Sequence, residues 1–151
     1  MSAKIGIAST AIHRSLITTH HISSRKKIKI LHAAAQALSL RGLLHVGKPG
    51  VMLVEGGHVA CTEWINTVRK LRYKYYHAAP LVEVLVDCKE GHHRPVGAGA
   101  GDGQNLLFPL EKYPKPGFLL ECDKLGEVMA VAEAAQADQW LRAAVGLPPI
   151  T

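Results

Sequence analysis

Between Ala11 and Asp87 the spacing of apolar residues switches from alternation to a helical repeat and back, twice over, and this order of switches leaves the chain few folds to choose from. Residues 11–22 (AIHRSLITTHHI) are β-branched and alternate, with Ile12, Arg14, Leu16 and Thr18 on one side and His13, Ser15, Ile17 and Thr19 on the other. That pattern predicts a strand. Ser23 or Ser24 then caps a helix over 24–40, in which Ile28, Leu31, Ala35 and Leu38 recur at helical spacing, and Gly42 suits the position just beyond its end. A short strand, Leu43–Val46, runs into Gly47-Lys48-Pro49-Gly50, whose composition marks a turn between antiparallel strands, and Val51–Glu55 is the return strand. Gly56-Gly57 breaks it. Cys61, Trp64, Ile65, Val68 and Leu71 line one face of a second helix over 58–71, and a further strand falls within 73–87, where Leu81 to Val86 is the most apolar stretch.

Strand, helix, strand, strand, helix, strand is the split βαβ order. The expected fold is therefore α/β (α+β): a ferredoxin-like sandwich with an antiparallel sheet and C-terminal helices. Leu125, Val128, Met129 and Ala132 form the apolar face of the first of those helices, and Trp140, Leu141, Ala144 and Val145 that of the second. Asp123 and Asp138 are expected as their N-caps, and Gly146 with Pro148-Pro149 as the stop. A chain of 151 residues is one ordinary domain. We assign it to residues 11–147, with a disordered N-terminus over 1–10 and a mobile Gly-rich loop over 88–104.

Charge is distributed unevenly. Residues 1–80 hold twelve Lys or Arg against Glu55 and Glu63 alone, whereas residues 81–151 hold six against ten Asp or Glu. A first half this basic projects a positive field that attracts phosphates. Arg25-Lys26-Lys27 and Lys29 sit in the first two turns of the predicted helix, where they oppose the helix macrodipole. A helix chosen only for stability places acids there, whereas an anion bound at the exposed N–H groups makes dipole and side chains act together. Lys48, Arg69, Lys70, Arg72 and Lys74 belong to the same half, and Lys70–Lys74 with Tyr75-Tyr76 interleaves bases and rings as nucleic-acid-binding edges do. A strand with snorkelling lysines and half-buried tyrosines has the same composition.

Catalytic and metal chemistry find little support. Cys61, Cys88 and Cys122 are an odd, widely spaced set, neither a disulfide scaffold nor a zinc framework, and fit a reducing compartment. No HExxH, CxxC, GxSxG or P-loop consensus occurs, and Gly97–Gly101 lacks the Lys-Ser/Thr that a phosphate loop needs. His20-His21, placed at a strand end, are expected to point to opposite faces and so not to share a metal. Cys61 reads as core, and Glu55 and Glu63 have no second acid to work with. We expect no enzyme activity, no cofactor and no metal. No run of eighteen apolar residues is present, so no membrane helix is expected. The acid-free first 54 residues, rich in Ser and Thr, have the composition of a mitochondrial transit peptide, but 24–56 reads as core elements, which favours a nuclear or cytoplasmic location.

His20-His21-Ile22, the basic run 25–27, Leu38–Gly42, Gly47-Lys48-Pro49-Gly50, Val54-Glu55-Gly56, Trp64, Arg69-Lys70-Leu71 and Lys74 together resemble the C-terminal domain shared by spliceosomal pre-mRNA processing factor three and RWD-domain-containing protein two. The similarity is best over 19–74 and resumes more weakly over 118–147. It implies a non-catalytic ferredoxin-like domain that binds base-paired RNA with an adjoining single strand, linked to splicing. The residues it implies for RNA contact are His20, His21, Arg25, Lys26, Lys27, Lys48, Arg69, Lys70 and Lys74. The expected partner is therefore structured or duplex RNA. The alternative is a protein-interaction module of the RWD-protein type, docking a partner within a larger complex through the acidic second half.

Overall fold

A computed structural model describes residues 9–87, 94–95, 106–109 and 112–146. The elements run β1 (Ser9–Thr19), α1 (Arg25–Ala37), β2 (Arg41–His45), β3 (Gly50–Gly56), α2 (His58–Lys70), β4 (His77–Ala78), β5 (Val82–Asp87), β6 (Arg94–Pro95), β7 (Phe118–Cys122), α3 (Leu125–Ala134) and α4 (Asp138–Val145). The sheet is ordered β6-β5-β1-β3-β2-β7, with β4 also against β1. β1 lies antiparallel to β3 and β5, and β3 antiparallel to β2. The four-strand centre with α1 and α2 is the ferredoxin-like arrangement that the alternating periodicities predict.

Alternation along the strands divides the core in two. Ile17, Leu44, Met52 and Val54 face α1 (Ile28, Leu31, Ala35) and α2 (Cys61, Trp64, Val68). Leu16, Leu43, Val51 and Leu53 face Phe108, α3 (Val128, Met129, Ala132) and α4 (Leu141). Residues 51–54 of β3 are thus buried on both sides, which is why they read as one apolar run. Each fully buried Leu, Val or Met contributes about 1.5–3 kcal/mol. Neither face of the sheet centre is left as an open platform.

Several boundaries differ from expectation. β1 begins at Ser9 and ends at Thr19, so His20 and His21 lie beyond it. α1 ends at Ala37, and Ser39, at φ 56°, takes the left-handed position expected of Gly42. Leu40 N–H closes that turn on the Ala35 carbonyl at 2.9 Å. Gly42 belongs to β2 instead, where a Cβ would sit 2.6 Å from both the Leu53 carbonyl oxygen and Val54 Cγ1. Lys124, not Asp123, is the N-cap of α3, with the Glu127 carboxylate accepting from its backbone N–H at 3.3 Å. Asp138 is the first residue of α4, after an Ala137 cap. β7, parallel to β2, was not expected from its short sequence FLLEC. Gly146 does end α4 at φ 81°. Most of the predicted 88–104 loop and the first eight residues lie outside the described residues.

Candidate nucleic-acid interface

Three backbone contacts gather segments distant in sequence at the end of β1. His20 N–H donates to the Lys74 carbonyl at 2.9 Å, Ile22 N–H to Gly47 O at 3.0 Å, and Gly47 N–H returns to Ile22 O at 2.8 Å. The 20–27 stretch, the GKPG turn and the 72–75 turn thus meet. Close packing helps: a Cβ on Gly50 would collide with the Thr19 hydroxyl and come within 2.7 Å of Ile22 Cγ1. Buried His45 donates from Nδ1 to the Pro49 carbonyl at 2.6 Å, which fixes its tautomer and braces the turn that carries exposed Lys48.

Between the first and last of these segments lies a cleft of about 220 Å³, lined by His21, Ser23, Ser24, Lys27, Arg72, Tyr73 and Lys74. Ser24 caps α1, its Oγ accepting from Lys27 N–H at 3.2 Å, so the positive end of the helix dipole opens here. The Lys27 ammonium lies 4.7 Å from the centre of the Tyr73 ring and that of Lys74 5.3 Å from the centre of Tyr75. His20 meets His21 and Tyr75 edge to face, at 5.2 and 5.6 Å between ring centres. The histidines expected on opposite strand faces are therefore neighbours, because the chain bends as soon as β1 ends. Partial desolvation, followed by the charges of Lys48, His21 and Lys74, holds His20 below the ordinary imidazole value.

Of the nine residues implied for RNA contact, His21, Lys27 and Lys74 line the cleft, while His20 touches His21 and feels Lys48. Lys26, Arg69 and Lys70 are exposed at the start of α1 and the end of α2, outside that lining. Arg25 is engaged elsewhere: its guanidinium grips Glu121 of β7 through two bonds of 2.8 and 3.1 Å, and His32 Nε2 shares the same carboxylate at 2.7 Å. That grip, then the His32 bond, holds Glu121 down to about 2. Ser23, Ser24, Arg72 and Tyr73 line the cleft without having been among the nine. The interleaved 70–76 stretch was the signal for Arg72 and Tyr73, whereas Ser23 and Ser24 were read only as helix caps.

The other charged cluster is structural. Arg14 and Glu55 are cross-strand partners, both buried, with Arg14 Nε donating to Glu55 Oε2 at 2.9 Å. The same carboxylate accepts from Leu107 N–H at 3.0 Å and Phe108 N–H at 3.2 Å. Arg41, paired with Glu55 in register across β2 and β3, donates to the carbonyls of Phe108 and Tyr113 at 3.2 and 2.6 Å. Glu55, weighed above as an acid–base candidate, is fully spent on these bonds. Burial, then Glu55, pushes the Cys61 thiol up to about 11, so it is a protonated core group rather than a nucleophile. Among the described residues no three His, Cys, Asp or Glu come together as metal ligands, and no helix is long and apolar enough to cross a membrane. No known protein-family model matches the chain.

Proposed function

We propose that this domain is a non-catalytic RNA-binding module that grips phosphates at the cleft between the 21–27 stretch and the 72–74 turn. The observation that carries the reading is the gathering of Lys27, Arg72 and Lys74 around one cleft that no acid lines. Charge of one sign is costly to bring together, and a phosphate neutralises it. Lys48 extends the positive surface on one side, and Lys26, Arg69 and Lys70 supply further exposed charge from the ends of α1 and α2. Arg25 has a secondary place in the grip, because Glu121 already holds it. With both faces of the sheet centre covered, contact falls to this end of β1, and phosphates and shape are read more than base identity. The sequence resemblance adds a link to pre-mRNA splicing as the setting for such binding.

Filter-binding titrations with duplex and single-stranded RNA at two salt concentrations test this. With about four to six phosphate contacts, log affinity falls with log salt at roughly −0.7 to −0.9 per contact. No measurable binding at low salt overturns the proposal and leaves a protein-docking role in its place.

A further inference from the structure

We infer that the cleft receives a phosphorylated strand end: a terminal phosphate monoester enters between Lys27, Arg72 and Lys74, and the base of the same nucleotide lies on Tyr75. This rests on the RNA reading above and narrows it. An internal phosphodiester carries one negative charge and continues as chain in two directions, which suits an open groove. A monoester carries close to two charges at neutral pH and offers three acceptor oxygens. The cleft matches the second description. It brings three cationic side chains from two segments of the chain into about 220 Å³, adds the Ser23 and Ser24 side chains, and has no lining acid to neutralise the surplus. The first turn of α1 contributes further positive potential.

Tyr75 supplies the second half of the argument. The residue is 71% exposed, the most open of the described tyrosines, yet its ring is contacted from two sides by the edge of His20 and the Lys74 ammonium. Lys74 both lines the cleft and touches this ring, so charge and stacking surface lie within one nucleotide of each other. Tyr75 is held at left-handed φ, 55°, a conformation that disfavours side chains, whereas Arg72, at 58°, follows the Leu71 C-cap and takes the left-handed position that ends α2, as Ser39 does for α1.

The test is an anisotropy titration of the unmodified protein with one short single-stranded RNA in three forms: 5′-phosphate, 3′-phosphate, or hydroxyl at both ends. One phosphorylated form is expected to bind about tenfold tighter than the hydroxyl form, as charge-assisted hydrogen bonds imply. Arg72→Asn, which keeps a residue tolerant of positive φ, is expected to abolish that preference, so that phosphorylated and hydroxyl-ended RNA bind alike. Tyr75→Asn is expected to weaken the preferred form about tenfold, and an abasic terminal nucleotide presented to the unmodified protein reproduces that loss. Equal affinity for all three forms, with salt-sensitive binding intact, overturns the strand-end inference and leaves the RNA reading standing. Absence of salt-sensitive binding to any form overturns both. An unchanged affinity in Tyr75→Asn removes the base from the ring.

Discussion

The row Arg14–Glu55 with Arg41 and the cleft of Lys27, Arg72 and Lys74 use positive charge in opposite ways. In the row, a carboxylate lies in register between two arginines, and every strong acceptor is met by a guanidinium or a backbone N–H. Its consequence is internal: Leu107, Phe108 and Tyr113 are tied down over one face of the sheet. In the cleft the cations have no facing acid, and two of them rest on tyrosine rings at the surface. A charge that is buried and matched stabilises the fold, whereas a charge that is gathered and unmatched favours a ligand. Arg25 stands between the two cases, at the mouth of the basic helix but held by Glu121.

The largest effect belongs to the row. Glu55→Gln removes the carboxylate charge that buried Arg14 bonds and weakens the hold on Leu107 and Phe108. We expect a loss of about 3–5 kcal/mol in urea denaturation, the range for breaking a buried pair. Lys74→Gln, in the cleft, is expected to leave the midpoint within about 0.5 kcal/mol of the parent, as for exposed positions generally. Equal and small losses for both would erase the distinction. Next comes Gly42→Ala in β2, where the new methyl meets the Leu53 backbone carbonyl rather than a yielding side chain. Overpacking there is expected to cost about 1–3 kcal/mol in thermal denaturation, with RNA affinity unaltered once folded.

The Glu121 pair should give the smallest change, one that depends on pH. Its carboxyl is depressed from 4.5 to about 2 by Arg25 and then His32, so the pair's contribution is complete above pH 4.5 and disappears as the pH falls towards 2. Arg25 is 69% exposed, so solvent screening keeps that contribution small. Glu121→Gln is accordingly expected to be slightly less stable than the parent at neutral pH and to converge with it below pH 2. A gap that persists in strong acid would assign the effect to packing.

The parts of this molecule legible in the sequence are those governed by local periodicity. The alternation in β1, the Ile28–Leu31–Ala35 stripe, the GKPG turn and the Cys61–Trp64–Val68 stripe all appear where their spacing places them. β7 escaped because five residues are too few to show a period, and because its place is set by a parallel pairing with β2 rather than by its own pattern. The cleft was legible only as a list of bases. That Lys27 and Lys74 belong to it while Arg25 does not depends on three backbone hydrogen bonds and on a glutamate 96 positions away from Arg25. Arg14 and Glu55 were visible as residues, but their pairing follows from strand register, which no local signal encodes.

The claim that position, rather than total charge, makes the cleft a grip is tested by two double variants that remove the same charge. Lys27→Gln with Lys74→Gln removes it from the cleft, and Lys112→Gln with Lys115→Gln removes it from the exposed segment that leads into β7. Measured by filter binding across a salt series, the cleft variant is expected to flatten the slope of log affinity against log salt by about 1.4–1.8, from two lost contacts, while the other variant keeps the parent slope. Identical slopes for the two variants would contradict the account, because the protein would then attract RNA by net charge alone.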